Sequence, residues 1–190
     1  MIRTSGAVTV TGRATGGPIP EATTGRRRPG GESDRRRSLD AIALLDLAKD
    51  FGSRMPSWAG RHAEPLVERS YELLELTDDV EVWVIHWPTG GHLQLHDHGG
   101  SAGAFWVVGG SLEERFVTEG QTLRERRIDM ASGAGFGPRY VHDVRNGGHR
   151  PATSVHAYSP PMPGMTFYRS TPSGLVADRS EYRTDPSWAP

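Results

Sequence analysis

The pattern of apolar and polar residues changes twice along the chain and divides it into three stretches. Up to about residue 38, apolar residues are sparse and follow no period. Between Ser38 and Gly52 they recur at helical spacing, and from about Tyr71 they form short runs that alternate with polar residues. The pattern therefore predicts an irregular N-terminal stretch, a helical segment and a β-rich remainder.

The helical segment is predicted at about 39–51, with apolar residues on one face. Ser38 suits the N-cap, Gly52 is a natural end point, and Pro56 follows as a helix breaker. A second short helix is predicted from Pro65, in its first turn, through Arg69. Both helices are expected to serve packing.

The β-rich remainder consists of apolar and β-branched runs separated by Gly and Pro turns. The predicted strands lie at 71–76, at 81–87, across His96 and His98, and at 104–108, 112–117, 122–128, 140–144 and 153–158. Of these, 122–128 is expected to be exposed, and 133–137 is predicted to be a turn. Many short strands with almost no helix after residue 70 indicate an all-β fold, an antiparallel sandwich or barrel.

Composition narrows the classes of function. The chain has 190 residues, which fit one domain plus a tail, and a formal net charge of −1, which gives no general argument for nucleic acid. It has no cysteine, which excludes disulfides, thiolate metal ligands and a cysteine nucleophile. No apolar run approaches the roughly 20 residues that span a bilayer, and the N-terminus lacks the apolar core of a secretory signal. We expect a cytoplasmic monomer that binds neither membranes nor nucleic acid.

Residues 1–38 hold eight arginines, six of them in the blocks 26–28 and 35–37, against three carboxylates. Few apolar residues are present to offset the entropy of ordering, so we predict a disordered basic extension at 1–38 and one folded domain at 39–190. The extension is either a solvated tail or an arm that touches nucleic acid or an acidic partner. The solvated tail is the simpler interpretation.

His96 and His98 are the main chemical feature of the sequence. Residues one apart in a strand share a face, whereas on a helix they would diverge by about 200°. Two imidazoles on one strand face point at one place, and a transition metal is the usual occupant of such a place. A merely polar strand face would look the same, so the doublet alone leaves metal binding open.

The sequence around this doublet resembles the cupin superfamily. Its first signature is matched at Gly90, His96, His98 and Gly110. The end of the second is matched by His142 and Asn146, whereas the glutamate ligand of the first is missing, with Ala102 and Gly103 in its place. The resemblance implies a jelly-roll barrel, a double-stranded β-helix, with one or two N-terminal helices. It also implies a three-histidine metal site formed by His96, His98 and His142.

Three segments narrow the resemblance to the bacterial branch of the cysteine dioxygenase family, which oxidises a thiol to a sulfinic acid with O2. The segments are 96–104, 141–146 and 154–161, and the match runs from about Tyr71 to Tyr168. The resemblance implies Fe(II) as cofactor, a small thiol and O2 as partners, and a role in cysteine catabolism. Three neutral imidazoles would leave open metal positions for both partners and keep the site net positive, which favours a bound thiolate.

Ser154, His156 and Tyr158 are spaced by two, so a strand would direct all three to one side. In the family, the matching serine and histidine hydrogen-bond the tyrosine, whose hydroxyl faces substrate and oxygen. The resemblance therefore implies that these three are catalytic residues and that Tyr158 orients or protonates the oxygen species. The crosslinking cysteine of the animal enzymes is replaced by Gly103, so that crosslink is impossible here.

The residues expected around the substrate carboxylate depart from the family pattern. Cysteine-specific members bind the substrate carboxylate with an arginine two residues after a tyrosine, and aligning Tyr71 there places Leu73 at the arginine position. Enzymes acting on 3-mercaptopropionate have glutamine at that position. A carboxylate buried without a cation is costly, so another arginine should compensate. Arg69, Arg139 and Arg169 are the candidates, and Arg169 is favoured because it follows the catalytic strand.

We therefore predict an iron(II) thiol dioxygenase with L-cysteine as substrate, and with Leu73 and Arg169 at the substrate site. Oxidation of 3-mercaptopropionate or another thiol is an open alternative. Two further alternatives use the same fold: a different metal-dependent cupin enzyme, such as an isomerase or a carbon–carbon dioxygenase, and a cupin that only binds a ligand.

Overall fold

The computed structural model describes residues 38–55, 67–118 and 122–184, and these ranges contain one helix and eleven strands. The elements are α1 (Ala41–Arg54), β1 (Ser70–Leu76), β2 (Glu81–Trp87), β3 (His92–His96), β4 (Ala102–Gly109), β5 (Ser111–Val117), β6 (Leu123–Asp129), β7 (Gly133–Phe136), β8 (His142–Arg145), β9 (Ala152–Ser159), β10 (Gly164–Thr171) and β11 (Gly174–Tyr182). Each predicted strand has a counterpart, and 122–128 corresponds to the largely exposed β6. The strand predicted across His96 and His98 ends at His96, so His98 lies outside it.

The strands form two antiparallel sheets. The five-stranded sheet has the order β1-β2-β9-β4-β7, and the six-stranded sheet has the order β11-β10-β3-β8-β5-β6. Side chains from both sheets meet in one buried cluster that includes Trp87, Phe105, Leu112, Val144 and Phe167. This arrangement confirms the predicted all-β class and the cupin jelly-roll barrel.

Helix α1 covers the outer face of the five-stranded sheet. Leu44 and Ala48 of the helix are fully buried in a second apolar cluster with Val82 and Val155 of the sheet. Because β2 is buried on both faces, its sequence is largely apolar and does not alternate. β9 is also buried on both faces but carries buried polar residues among its apolar ones. A Cβ added at Gly52 would lie 2.8 Å from the Trp106 ring, so the helix approaches the sheet closely there.

The predicted bounds of the helix were wrong by a few residues. Asp40 is the N-cap: its carboxylate accepts from the backbone N–H of Ile42 at 3.1 Å and of Ala43 at 2.9 Å. The backbone N–H of Leu39 instead donates to Ser159 Oγ at 2.9 Å, which ties the start of the segment to β9. Gly52 lies within the helix because the packing there needs a residue without a side chain.

Three other local predictions also differ from the structure. Residues 133–137 are not a turn, because Gly133–Phe136 pairs with β4, where the backbone of neighbouring elements leaves no room for a side chain on Gly133. The helix predicted from Pro65 begins outside the described residues, and 67–69 is not helical. Strands β10 and β11 had not been predicted.

The predicted basic extension at 1–38 lies outside the described residues, apart from its last position. Within the described ranges, no helix has the length and apolar character needed to cross a membrane.

Candidate metal centre and active site

Three buried histidines meet where the six-stranded sheet borders the barrel interior. His96 ends β3, His142 begins β8, and the two are directly paired in the sheet. His98 lies just beyond the end of β3. Each of the three is 1% exposed, and ligand atoms from all three lie within 4.8 Å of one another. The three predicted metal ligands therefore do come together.

The ring nitrogens of these histidines are oriented for metal binding. His96 Nδ1 donates to the Gln94 carbonyl at 2.7 Å and His142 Nδ1 donates to the Glu114 carboxylate at 2.6 Å, which leaves Nε2 of both rings as a donor atom for a metal. Neither ring nitrogen of His98 has a hydrogen-bond partner among the described residues. A buried polar atom without a partner is unfavourable, so a metal ion fits this cluster well.

Electrostatics keep His96 and His98 neutral. Burial lowers the pKa of His96 and of His98 well below the ordinary value, and the neighbouring imidazoles lower both pKa values further. Only a neutral imidazole can bind a metal, so the ligands are prepared for a cation without having to lose a proton first.

Asp97, between the first two histidines, holds their loop in place. Its Oδ1 accepts from the backbone N–H of Gly99 at 3.0 Å and of Thr166 at 3.1 Å, and its Oδ2 accepts from the Tyr168 hydroxyl at 2.6 Å. Burial and this last hydrogen bond raise the pKa of Tyr168 to about 12. Sequence reasoning missed Thr166 and Tyr168 because they lie on the unpredicted strand β10.

The predicted catalytic residues form a hydrogen-bonded chain on β9. Ser154 Oγ lies 2.8 Å from His156 Nε2, and His156 Nδ1 lies 3.2 Å from the Tyr158 hydroxyl. All three are buried, and the Tyr158 ring stacks on His98 with ring centroids 5.3 Å apart. The chain therefore ends beside the metal cluster.

Trp87 favours one direction of this chain, because a hydroxyl that accepts from Trp87 is polarised into a better donor to His156. Its Nε1–H can only donate, and it donates to Ser154 Oγ at 2.9 Å. The Ser154 hydroxyl proton then needs an acceptor, and His156 Nε2 is the one within reach. This tautomer places a proton on His156 Nδ1, which donates to the Tyr158 oxygen and leaves the Tyr158 O–H free to donate elsewhere.

The pKa values fit that direction. Burial, together with His142 and Arg69, lowers the pKa of His156 to about 3, so the imidazole is neutral at physiological pH. Burial also raises the pKa of Tyr158, and the nearby Glu81 raises it further. The tyrosine is therefore a protonated donor and not a phenolate.

The residues expected at the substrate site differ in their surroundings. The Arg169 side chain is 64% exposed and its Nε donates to Asp178 at 2.8 Å, so it is not part of the metal cluster. Arg139 is exposed as well. Leu73 is paired with Trp83 and shares its face of the sheet, but it is 40% exposed.

Arg69 is the arginine that faces the cluster. It lies two residues before Tyr71, and its Cζ is 5.6 Å from the centre of the Trp87 ring. Its Nη1 is buried and has no hydrogen-bond partner among the described residues. Burial lowers the pKa of Arg69, while its charge in turn lowers the pKa of both His96 and His156. Arg69 thus supplies a positive charge near the metal ligands and has one buried donor, Nη1, available to a ligand.

The chain matches the sequence profile of a known protein family. The sequence profile described as "Cysteine dioxygenase type I" matches residues 35–171. No curated protein sequence matches the chain.

Similar solved structures include TT1209 from Thermus thermophilus, with 18% identity, a TM-score of 0.46 and coverage of 53% of this chain and 92% of that one. A Klebsiella pneumoniae protein with a double-stranded β-helix domain has 19% identity and a TM-score of 0.49, covering 60% of this chain and 94% of that one. An oxalate oxidase in complex with glycolate has 20% identity and a TM-score of 0.49, covering 57% of this chain and 59% of that one.

Proposed function

The chain belongs to the cysteine dioxygenase type I family, and we propose that it is an iron(II)-dependent thiol dioxygenase that converts a small thiol and O2 to the sulfinic acid. The observation that carries the proposal is the buried cluster of three imidazoles beside the Tyr158 ring. L-cysteine is the proposed substrate, with 3-mercaptopropionate or another small thiol as the alternative.

His96, His98 and His142 would hold the iron. When bound, iron(II) supplies the coordination positions and the redox chemistry that a thiol and O2 need in order to react. The protein provides neutral ligands only, so the loaded site carries a net positive charge. That charge favours the thiolate form of the substrate over the thiol.

The Ser154–His156–Tyr158 chain would hold a proton at the reacting atoms. The chain leaves the Tyr158 O–H as a donor, and the raised pKa of this hydroxyl keeps its proton in place at neutral pH. We propose that this hydroxyl donates to the oxygen or the sulfur of the reacting pair and so orients it. Ser154 and His156 act through Tyr158 as positioning residues.

Arg69, and not Arg169, is proposed to bind the substrate carboxylate. Its buried Nη1 lacks a partner among the described residues, and a carboxylate would provide one while compensating the buried charge. Leu73, which shares the inner face of β1 with Tyr71, would then be part of the cavity mouth. Both L-cysteine and 3-mercaptopropionate carry a carboxylate, so Arg69 is compatible with either.

The test is oxygen uptake by iron-loaded protein with L-cysteine, 3-mercaptopropionate and cysteamine, which lacks the carboxylate, with mass spectrometry of the sulfinate. We expect sulfinate from at least one of the two acids and little from cysteamine. Arg69→Gln should raise KM for the acid about 10- to 100-fold, because hydrogen bonds to charged groups contribute about 1.5–3 kcal/mol.

Arg169→Gln is the matched control, because it also removes a guanidinium but one that is exposed and paired with Asp178. It should leave KM unchanged. The proposal of a thiol dioxygenase fails if protein with iron confirmed at the three histidines yields no sulfinate from any thiol. The assignment of Arg69 alone fails if both arginine variants have the same KM.

A further inference from the structure

Glu114 is a fully buried carboxylate next to the metal cluster. It lies on β5, pairs with Val144 across the sheet, and points to the inner face. Its Oε1 lies 2.6 Å from His142 Nδ1 and 3.2 Å from the Tyr140 hydroxyl, which donates to it. Its Oε2 accepts from Arg126 Nε at 2.5 Å. Both carboxylate oxygens are therefore used, and one of them serves a metal ligand.

We infer that Glu114 is a positioning residue for the metal ligand His142 and returns to the site the negative charge that the missing glutamate ligand would have brought. The inference rests on the proposed function, because it takes the three histidines as the metal site. A carboxylate that accepts from Nδ1–H fixes the tautomer and the plane of the ring and makes Nε2 a stronger donor. The charge thus reaches the metal through the imidazole and leaves all the open coordination positions free.

The surroundings of Glu114 limit how much charge it passes to His142. The Tyr140 hydroxyl donates to the same Oε1 that accepts from His142, and Arg126 binds both Oε2 and, at 3.2 Å, the Tyr140 oxygen. The Tyr140 ring stacks on Phe136 with ring centroids 4.8 Å apart and shields the carboxylate. Tyr140 and Arg126 therefore compete with His142 for the carboxylate.

A plain structural role is the rival explanation, since an ion pair between Glu114 and Arg126 would also hold β5 to β6. The two explanations differ in what Tyr140→Phe does. This variant keeps the ring stack and the ion pair but removes the donor that shares Oε1 with His142. Under our inference the carboxylate then acts more strongly on His142, whereas an ion pair that only holds the strands would leave the metal site unaffected.

The experiment measures the metal site itself, without turnover. Apo protein is titrated with Co(II) in competition with a chromophoric chelator, and the midpoint potential of the Fe(III)/Fe(II) couple is measured on the iron-loaded form. Glu114→Gln should weaken Co(II) binding about 10- to 100-fold, as is typical for partners of metal-bound histidines, and should raise the potential because the amide does not stabilise Fe(III). Tyr140→Phe should lower the potential.

The matched control is Glu113→Gln. Glu113 is the adjacent residue on the opposite face of β5, and it pairs with Arg145 at 2.7 Å near the surface. It should change neither quantity. Glu114→Gln with the affinity and potential of the natural protein would overturn the inference while leaving the proposed function intact. If Glu114→Gln does not fold, Tyr140→Phe decides, and an unchanged or raised potential there overturns the inference. Failure of the natural protein to bind metal at the histidines would instead refute the proposed function.

Discussion

Replacing Trp87 with phenylalanine would test whether the direction of the hydrogen-bond chain matters for catalysis. Trp87 is fully buried, and its only polar side-chain atom donates to Ser154 Oγ at 2.9 Å. Phenylalanine keeps an aromatic ring but removes this donor. Without the polarising Trp87 donor, the Ser154 hydroxyl is a weaker donor to His156, so Ser154 accepts from His156 Nε2–H more readily. The opposite tautomer then makes His156 Nδ1 an acceptor for the Tyr158 hydroxyl. The proton of Tyr158 would then point away from the substrate.

The expected loss can be worked from this geometry. A buried hydrogen bond between neutral groups contributes about 0.5–1.5 kcal/mol, so the two tautomers become similar in free energy once it is lost. We expect kcat to fall about 2-fold, since two tautomers of similar free energy leave about half of the molecules with the Tyr158 proton directed at the substrate. KM should change less, because Arg69 still supplies the cation for the substrate.

The assay is steady-state oxygen uptake at matched iron content, with Trp83→Phe as the control. Trp83 lies on the same face of β2 and is 8% exposed, but its Nε1 has no hydrogen-bond partner among the described residues. The Trp83→Phe variant should lose stability with little change in kcat. Ser154→Ala combined with Trp87→Phe should be no worse than Ser154→Ala alone, because both act on one chain. Equal kcat for the two tryptophan variants, or fully additive losses in the double variant, would refute the directional chain.

Three further predictions follow from the same contacts. Gly103→Ala should cost about 1–3 kcal/mol in urea unfolding, because its Cβ would lie 2.5 Å from the Phe136 ring, whereas Gly137→Ala, with nothing within 4 Å, should cost far less. Asp97→Ala should weaken Co(II) binding of the apo protein about 10- to 100-fold by freeing the loop between two ligands, and unchanged binding would contradict that. His156 is neutral when folded, with its pKa lowered from 6.5 to about 3, so its contribution to the stability of the apo protein is complete above pH 6.5 and is lost as the pH falls towards 3, by about 1.4 kcal/mol per unit. His156→Asn should flatten that part of the stability–pH profile, and an equally steep profile would count against it.

The parts of the fold that could be predicted from the sequence are those where burial leaves a strong pattern. Strand β2 was predicted with its observed bounds because it is apolar on both faces. Strand β7 was missed because it is made of Gly133, Ala134, Gly135 and Phe136, and the glycines that allow close approach of backbones are also typical of turns. Strand β11 was missed because it lies at a sheet edge and is largely exposed, which leaves no apolar alternation to detect.

The candidate metal ligands could be predicted from the sequence, but the position of the arginine that faces them could not. His96 and His142 become neighbours through strand pairing, and their motifs keep a fixed order in the sequence. In an extended segment such as β1 and the residue before it, a shift of two residues preserves the face of every side chain. Alternation therefore cannot distinguish Leu73 from a position two or four residues earlier. Arg69 and Leu73 lie four residues apart and satisfy the same alternation. Only the contact of Arg69 with Trp87 shows which of the two faces the metal ligands, and that long-range contact could not be read from the sequence.

Trp87 joins the two ends of the proposed active site. Its ring lies under the Arg69 guanidinium and its Nε1–H directs the chain that ends at Tyr158. A carboxylate bound to Arg69 and an oxygen species beside Tyr158 would therefore share one rigid, fully buried wall. A thiol whose carboxylate is one atom too far from its sulfur would misplace either the carboxylate or the sulfur, because that wall cannot adjust both ends separately. On this reasoning the choice between L-cysteine and 3-mercaptopropionate depends on the groups around the substrate amine, since both acids have the same spacing between sulfur and carboxylate.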